Sequence, residues 1–476
     1  MRQRFILLVL CLCMSLCMSA KKTRVACVGN SITYGAFISD REQNSYPAQL
    51  QKLLGGDYEV RNFGLSGCTV LEKGNMPYVE SSEYEESLEF NPDIVLFKMG
   101  TNDSKAFNWK YSSEFKSNYL SLIKSYMKLP SEPRIILLTP LRCFLSEDKG
   151  SINNTLIEKG IIPLIEEIAY EEELELVNLH NMFGNEWNSS LLPDKIHPSS
   201  MGAEKIAKKI YRYLIVSEKK SDTISDFQFK GMQCSNFNFH GFNGAEFTND
   251  GLQYLVVKPK FVAKGHPWVL RARFWGHEPQ TDIELLENGF YVAYCDVADM
   301  YGSDKAIKRW DKFYNKMIKA GMARRVVLEG MSRGGLIVYN WAARNPEKVA
   351  CIYADAPVLD IKSWPMGEGK SEGSVSDTNK MMEAYGFSKK KDALEWKNNP
   401  LDHCKIMVEY KIPILHVVGD SDDVVPVYEN TAIFEKKISD FGGKIQVIHK
   451  SGIGHHPHSL YNPERIVSFI LTNTIL

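Results

Sequence analysis

Short β-branched and apolar runs that stop at glycine- or asparagine-bearing turns recur along this chain. Each is followed by a stretch whose apolar positions return every three or four residues. In the first half, the runs Val25-Ala26-Cys27-Val28, Val60-Arg61-Asn62-Phe63 and Ile94-Val95-Leu96-Phe97 predict strands, and 202–207 predicts a helix. In the second half, 268–273, 291–295, 325–328, 351–354, 413–418 and 444–449 predict strands, while 280–288 and 336–343 carry helical spacing. Strands that alternate with helices imply parallel sheets covered by helices. Residues 226 to 260 differ: Phe227, Phe229, Phe237, Phe239 and Phe247 fall at largely even spacing around an Asn243-Gly244 turn, which predicts a β-rich segment.

A chain of 476 residues exceeds one ordinary domain, and the pattern divides it at the polar stretch Ser217-Glu218-Lys219-Lys220-Ser221-Asp222. The expected organisation is residues 22–216, a linker over 217–225, and 226–476. Residues 1–20 stand apart: Arg2 and Arg4 precede an apolar run from Phe5 to about Cys17, then Ser19 and Ala20. That is the pattern of a secretory signal peptide, and the run is shorter than the ~20 residues a membrane anchor needs. Lipoprotein processing at Cys17 is the alternative, opposed by the bulk of Leu16. The expected location is periplasmic or extracellular. Between Asp360 and Tyr410 an insert rich in Lys, Gly, Ser and Trp predicts a cap.

Composition narrows the functional classes. Hydrophobic residues at 44% and charged residues at 24% suffice for two cores, and a net charge of -1 with no long basic run excludes a nucleic-acid-binding surface. Three of the ten cysteines, Cys11, Cys13 and Cys17, lie in the signal-like segment. The others are scattered, with Cys27, Cys295 and Cys351 inside apolar runs, which suits buried thiols and at most one disulfide. No zinc-type spacing occurs, so neither metal nor cofactor is expected.

In the first half, candidate chemistry collects at strand ends. Gly29-Asn30-Ser31 closes the first strand, Gly64 ends the second, Gly100-Thr101-Asn102-Asp103 ends the third, and Asp194-Lys195-Ile196-His197-Pro198 precedes the last helix. These four blocks resemble the SGNH (GDSL-like) esterase family, with Asn30 where many members carry aspartate. The resemblance implies a flavodoxin-like three-layer α/β/α fold. It assigns Ser31 as nucleophile, His197 as base, Asp194 as its orienting acid, and Gly64 and Asn102 with the Ser31 N–H as the oxyanion hole.

The second half is laid out around Gly330-Met331-Ser332-Arg333-Gly334, a G-x-S-x-G string between a strand and a helix. A serine on so sharp a turn needs residues without side chains two before and two after. Downstream, Asp422 lies in a carboxylate-rich loop after one strand, and His455 in the loop Gly452-Ile453-Gly454-His455-His456-Pro457-His458 after the next. Serine, acid and histidine in that order resemble the α/β-hydrolase superfamily over roughly 225–476. The oxyanion donors would be the N–H of Arg333 and that of Phe274 or Trp275, although Trp275 also suits a core position. His456 and His458 beside His455 read as hydrogen-bonding loop residues rather than a metal site.

Together the halves resemble bacterial two-domain carbohydrate esterases. The expected activity is serine-dependent hydrolysis of O-acetyl esters by the first domain and of a second ester type, acetyl, methyl or aromatic acyl, by the second. Alternatives are one catalytic domain with a degenerate carbohydrate-binding or scaffolding partner, and a lipase or peptidase in the second half. Arg273 and Arg333 are expected to border one pocket and grip the carboxylate of an acidic glycan, and Trp364 to stack on a sugar ring.

Overall fold

The computed structural model describes residues 21–145, 151–184, 187–218, 232–249 and 252–474. The signal-like segment, most of the expected linker, and Phe227 and Phe229 lie outside the described residues.

Five strands form the first sheet: β1 (Thr23–Gly29), β2 (Tyr58–Gly64), β3 (Ile94–Lys98), β4 (Arg134–Leu138) and β5 (Glu175–Val177), ordered β2-β1-β3-β4-β5. The pairings of β1 with β2 and β3, and of β3 with β4, are parallel. Both faces of such a sheet are covered, which explains why β3 is buried along its whole length and why Ile94-Val95-Leu96-Phe97 reads as a continuous apolar run rather than an alternating one. Helices α1 (Ser31–Tyr34), α2 (Tyr46–Leu54), α3 (Phe115–Met127) and α4 (Ser200–Glu218) are among those that return the chain between or beyond the strands. Ser217 and Glu218, expected to open a linker, are the last residues of α4. Within α3, Tyr119, Leu122, Ile123 and Tyr126 recur at helical spacing and are buried.

The second sheet has nine strands in the order β14-β13-β12-β11-β9-β10-β8-β7-β6. Its antiparallel edge consists of β6 (Gln233–Phe239), β7 (Phe242–Asn249) and β8 (Leu252–Lys258), which occupies the segment where the even phenylalanine spacing predicts strands. The parallel part runs through β9 (Trp268–Ala272), β10 (Tyr291–Cys295), β11 (Val326–Met331), β12 (Val349–Asp355), β13 (Ile414–Gly419) and β14 (Gln446–Lys450). Around it lie α5 (Gln280–Glu287), α6 (Asp304–Lys319), α7 (Gly334–Arg344), α8 (Val375–Tyr385) and α9 (Glu464–Thr474). On α6 the residues Ala306, Ile307, Trp310, Phe313, Tyr314 and Met317 make one apolar face, and Trp310 meets Trp341 of α7 at 6.1 Å between ring centres. Burial of each such side chain contributes roughly 1.5–3 kcal/mol, so the packing of α6 and α7 fixes the helix that carries the G-x-S-x-G turn.

By contacts the chain divides into two compact units, one comprising residues up to Ile161 with Asn188–Tyr211, the other Ile162–Trp187 with Arg212–Leu476. Among the described residues seven cysteines are free thiols, six buried and Cys234 exposed, so the disulfide that the scattered cysteines allowed is not formed. No helix of the described residues is long and apolar enough to cross a membrane.

Candidate active sites

In the first unit Ser31 is the opening residue of α1, directly after β1, and the Asn30 side chain caps that helix by accepting from the Ile32 N–H at 3.1 Å. His197 Nε2 lies 2.8 Å from Ser31 Oγ, and His197 Nδ1 lies 2.7 Å from Asp194 Oδ2. The three-residue spacing of Asp194 and His197 closes a local turn, because Asp194 Oδ1 also accepts the N–H groups of Ile196 and His197, each at 3.0 Å. Burial pulls the Asp194 carboxyl upward, but those backbone donors and the imidazole outweigh it and hold the carboxyl below its ordinary range. It is therefore an anion suited to fix the imidazole tautomer and to balance the charge that would form on His197 if it accepted the serine proton.

The expected oxyanion groups are more divided. Asn102 donates one amide hydrogen to the Cys68 carbonyl at 3.0 Å, which aligns the side chain. Gly64 is needed sterically, since a Cβ there would stand 2.2 Å from the Tyr34 nitrogen, but its N–H already donates to Asn62 Oδ1 at 3.0 Å. The Ser31 N–H makes no hydrogen bond among the described residues. Behind Asn102, Asp103 is fully buried and accepts from Val70 N at 3.0 Å and Leu71 N at 2.9 Å, pinning the loop that bears Cys68. Burial pushes its carboxyl up to about 6, and pushes the neighbouring buried Lys98 amine down to about 7. Sequence reasoning missed Phe37, whose ring meets the His197 ring edge-on at 5.1 Å while 76% exposed, and the signal for it was an aromatic six residues after the serine.

In the second unit Ser332 sits between β11 and α7 with φ 50°, the left-handed conformation that a nucleophile on a strand-to-helix turn imposes. Its N–H donates to the Asp355 carbonyl at 2.8 Å, and its carbonyl accepts from Gly335 and Val358, each at 2.9 Å, so the strained turn is held on both sides. A Cβ at Gly334 would stand 2.8 Å from the Ala272 carbonyl oxygen, which is the close approach the sequence pattern required. His455 Nε2 is 3.0 Å from Ser332 Oγ and His455 Nδ1 is 2.8 Å from Asp422 Oδ2. Asp422 Oδ1 accepts from Val424 N at 3.0 Å and Val425 N at 2.8 Å. The second triad is the more enclosed: the Asp422 side chain is 1% exposed, against 36% for Asp194.

Around this serine the N–H groups of Arg333 and Phe274 make no hydrogen bond among the described residues, as oxyanion donors require. Arg273 and Phe274 both adopt positive φ, 61° and 47°, at the end of β9. What holds that loop is Arg271, which the sequence reading passed over. Its Nη2 donates to the Phe274 carbonyl at 3.0 Å and to the His277 carbonyl, and its Nη1 to Asp282 and, at 3.1 Å, to Glu329. Glu329 stands three residues before Ser332, so one buried guanidinium ties the nucleophile strand to the loop. Trp275 instead packs on Phe239 at 5.0 Å, Tyr294 at 5.8 Å and Phe237 at 6.4 Å, the core alternative weighed for it.

Arg273 and Arg333, expected to grip an acidic substrate, each have an internal partner. Arg333 Nη1 is 2.5 Å from Asp377 Oδ1, and Arg273 Nη2 is 3.9 Å from Asp299 Oδ1, so each meets a carboxylate of the chain itself. Arg333 also lies against the rings of Phe274, Trp364 and Tyr301 at 5.6, 5.7 and 5.9 Å. Trp364 is only 9% exposed, within a cluster with Tyr301, Leu336 and Met366, and offers no open face for a sugar. Asp377 belongs to α8 of the insert, so the ion pair, with the Tyr301 hydroxyl at 2.6 Å from the same oxygen, pins the cap beside the nucleophile.

Residues 27–205 match the GDSL-like Lipase/Acylhydrolase family and residues 304–473 the Prolyl oligopeptidase family. An acetylxylan esterase of Xylanibacter ruminicola is 39% identical over 204 residues, covering 39% of this chain and 42% of the relative's length. The chain thus spans less than half of that curated relative. Among solved structures, an S-formylglutathione hydrolase from Agrobacterium tumefaciens is 16% identical, covers 50% of this chain and 96% of its own, and has a TM-score of 0.37. A Pyrococcus horikoshii acylaminoacyl peptidase is 14% identical with coverage of 52% and 42% and a TM-score of 0.37. A carbohydrate acetylesterase family member from Sinorhizobium meliloti is 17% identical with coverage of 40% and 97% and a TM-score of 0.31. The chain joins a GDSL-like lipase/acylhydrolase domain in its N-terminal half to a prolyl oligopeptidase family domain, of the α/β-hydrolase kind, in its C-terminal half.

Proposed function

We propose that the protein is an exported carbohydrate esterase with two serine active sites. The observation that carries this reading is that each half holds serine, histidine and aspartate in hydrogen-bonded sequence, at 2.8 and 2.7 Å in the first and 3.0 and 2.8 Å in the second. In each, the imidazole removes the serine proton as Oγ attacks the ester carbonyl, then returns it to the departing sugar oxygen. Water repeats the cycle on the acyl-enzyme. The acetylxylan esterase likeness supports an O-acetyl ester on a polysaccharide as substrate of the first site. The second site takes a different ester of the same class of glycan.

The test is the pair Ser31→Ala and Ser332→Ala on acetylated xylan oligosaccharides and on p-nitrophenyl acetate. Each variant is expected to lose a different part of the activity, and the double variant all of it. A Ser332→Ala protein indistinguishable from wild type on every ester would leave the second half as a binding module. The prolyl oligopeptidase match favours one further reading, in which the second site cleaves peptides. Turnover of peptide p-nitroanilides that Ser332→Ala abolishes, with no turnover of esters by Ser31→Ala, would select it.

A further inference from the structure

Four imidazoles crowd the neighbourhood of Ser332. The loop after β14 supplies His455, His456 and His458, each of which offers one ring nitrogen within 4.8 Å of those of the other two. The loop after β9 supplies His277, its ring centred 6.1 Å from that of His456 and 5.9 Å from that of His458. Two of the four are held by buried carboxylates: Asp422 takes His455 Nδ1 at 2.8 Å and Asp355 takes His458 Nδ1 at 2.6 Å. A carboxylate on Nδ1 places the proton there and leaves the Nε2 lone pair as donor, which is how histidines are set to bind metal. The side chains of His277 and His456 are exposed and make no hydrogen bond among the described residues. Asp355 is fully buried, and its other oxygen accepts from the Ser459 N–H at 2.8 Å.

The triad takes in His455 and Asp422, whereas His458 anchors its loop on Asp355 and leaves its Nε2 side free of any part in the triad, beside two solvent-facing imidazoles that take no part in it either. We propose that this cluster binds a divalent transition cation of the zinc class through His455 Nε2, His456 and His458 Nε2, with His277 as fourth ligand, and that the bound ion switches the second site off. Zinc bonds imidazole nitrogen at about 2.0–2.1 Å in tetrahedral geometry, so ligand nitrogens must approach to roughly 3.3 Å. The two exposed histidines supply most of that movement by rotating their side chains, and His455 and His458, whose ring centres lie 4.7 Å apart, close on each other by tilting while their Nδ1 atoms stay on the carboxylates. Those carboxylates also give the site two negative charges to match the ion. The lone pair of His455 Nε2 cannot serve the ion and accept the Ser332 hydroxyl proton together, so occupancy removes the general base. Oxygen-preferring cations such as magnesium do not suit an all-imidazole set.

Zinc binding stands on the side chains alone, whereas the switching rests on Ser332 being the nucleophile, and the experiment separates the two. Tag-free, EDTA-treated full-length protein is titrated with zinc against a chromophoric chelator, and labelling of Ser332 by a fluorophosphonate is followed in parallel in a Ser31→Ala background. One zinc ion is expected to bind at micromolar concentration or below, with no magnesium binding. His456→Gln and His277→Gln are each expected to weaken binding by about tenfold or more while leaving labelling in EDTA unchanged. Zinc is expected to block labelling over the same range, and EDTA to restore it. Absence of zinc binding up to millimolar, or His456→Gln and His277→Gln proteins that both bind as wild type does, overturns the site. Zinc bound with labelling intact overturns the switch. If Ser332 stays unlabelled even in EDTA, the esterase reading of the second half fails, while the zinc titration still decides the site.

Discussion

Replacing Arg271 by methionine is expected to damage the second site in two separable ways. The guanidinium is 1% exposed and the Asp282 and Glu329 side chains 0%. Burial, then the charge of Asp282, pushes the Glu329 carboxyl well upward, and Arg271 opposes them only in part. Removing one partner of a buried ion pair costs about 3–5 kcal/mol, because an uncompensated charge remains. That part should appear as a lower urea midpoint of the second domain. The other part is local: the Phe274 and His277 carbonyls lose their donor, and two consecutive residues at positive φ lose the contact that holds them there. Such backbone conformations cost roughly 1–3 kcal/mol each and relax when released. Misplacing the Phe274 N–H then forfeits an oxyanion donor, about 2.7–4 kcal/mol or 10²–10³ in kcat. The assay is steady-state hydrolysis by the second site in a Ser31→Ala background, below the temperature at which the variant unfolds. The expected result is kcat down by about 100-fold with KM little changed. Arg271→Lys should not rescue it, since an ammonium cannot span acceptors on both sides as a planar fork does. A folded Arg271→Met protein with wild-type kcat would refute the positioning role.

Three further outcomes are expected. Lys98→Met should stabilise the first domain near neutral pH: the folded amine titrates at about 7 against an ordinary 10.5, so between those values the unfolded state binds more protons and wild-type stability rises with pH. The variant's advantage in urea unfolding, followed by first-site activity, should thus be about 4 kcal/mol at pH 7 and shrink toward pH 10.5; a gap independent of pH would contradict this origin. Asp422→Asn should lower second-site kcat by about 10⁴ by presenting the wrong imidazole tautomer, and a loss below tenfold would remove Asp422 from the triad. Asp377→Asn should free Arg333 and raise kcat/KM for uronic-acid esters over neutral ones by about tenfold, and an unchanged preference would show that the ion pair does not set charge selectivity.

How much could be read in advance divides by range of interaction. Ser31, Asp194 and His197, and likewise Ser332, Asp422 and His455, stand on turns and loops because their chemistry demands particular residue types on particular turns, and such demands are written locally. The structure brings each set to hydrogen-bonding distance. The parallel sheets were legible for the same reason, since continuous apolar runs and helical spacing are local patterns. Partners across the fold were not. Arg273 and Arg333 look alike in sequence as pocket cations, yet both meet internal acids, and Asp377, the closer of these, arrives from an insert 44 residues away. Trp364 and Trp275 read equally well as binding platforms or core, and the sequence offers no means to choose, because burial depends on what the rest of the chain lays over them.

The least legible feature is shared by both halves. Each buries charge beside its candidate catalytic turn: Lys98 and Asp103 flank the Gly-Thr-Asn block, and Arg271 and Glu329 bracket the loop and strand that meet at Ser332. A charged residue in an apolar strand reads as a break in the pattern, and on stability alone a hydrophobic residue of similar volume would serve as well or better. The contacts give the reason for its presence. Loops leaving the carboxyl ends of parallel strands have no ladder to fix them, and their carbonyls and N–H groups need partners. Asp103 binds two backbone N–H groups of one such loop and Arg271 two carbonyls of another. An apolar side chain could fill those volumes but could not hold those backbones, so the electrostatic cost is borne where geometry within about half an ångström decides the rate.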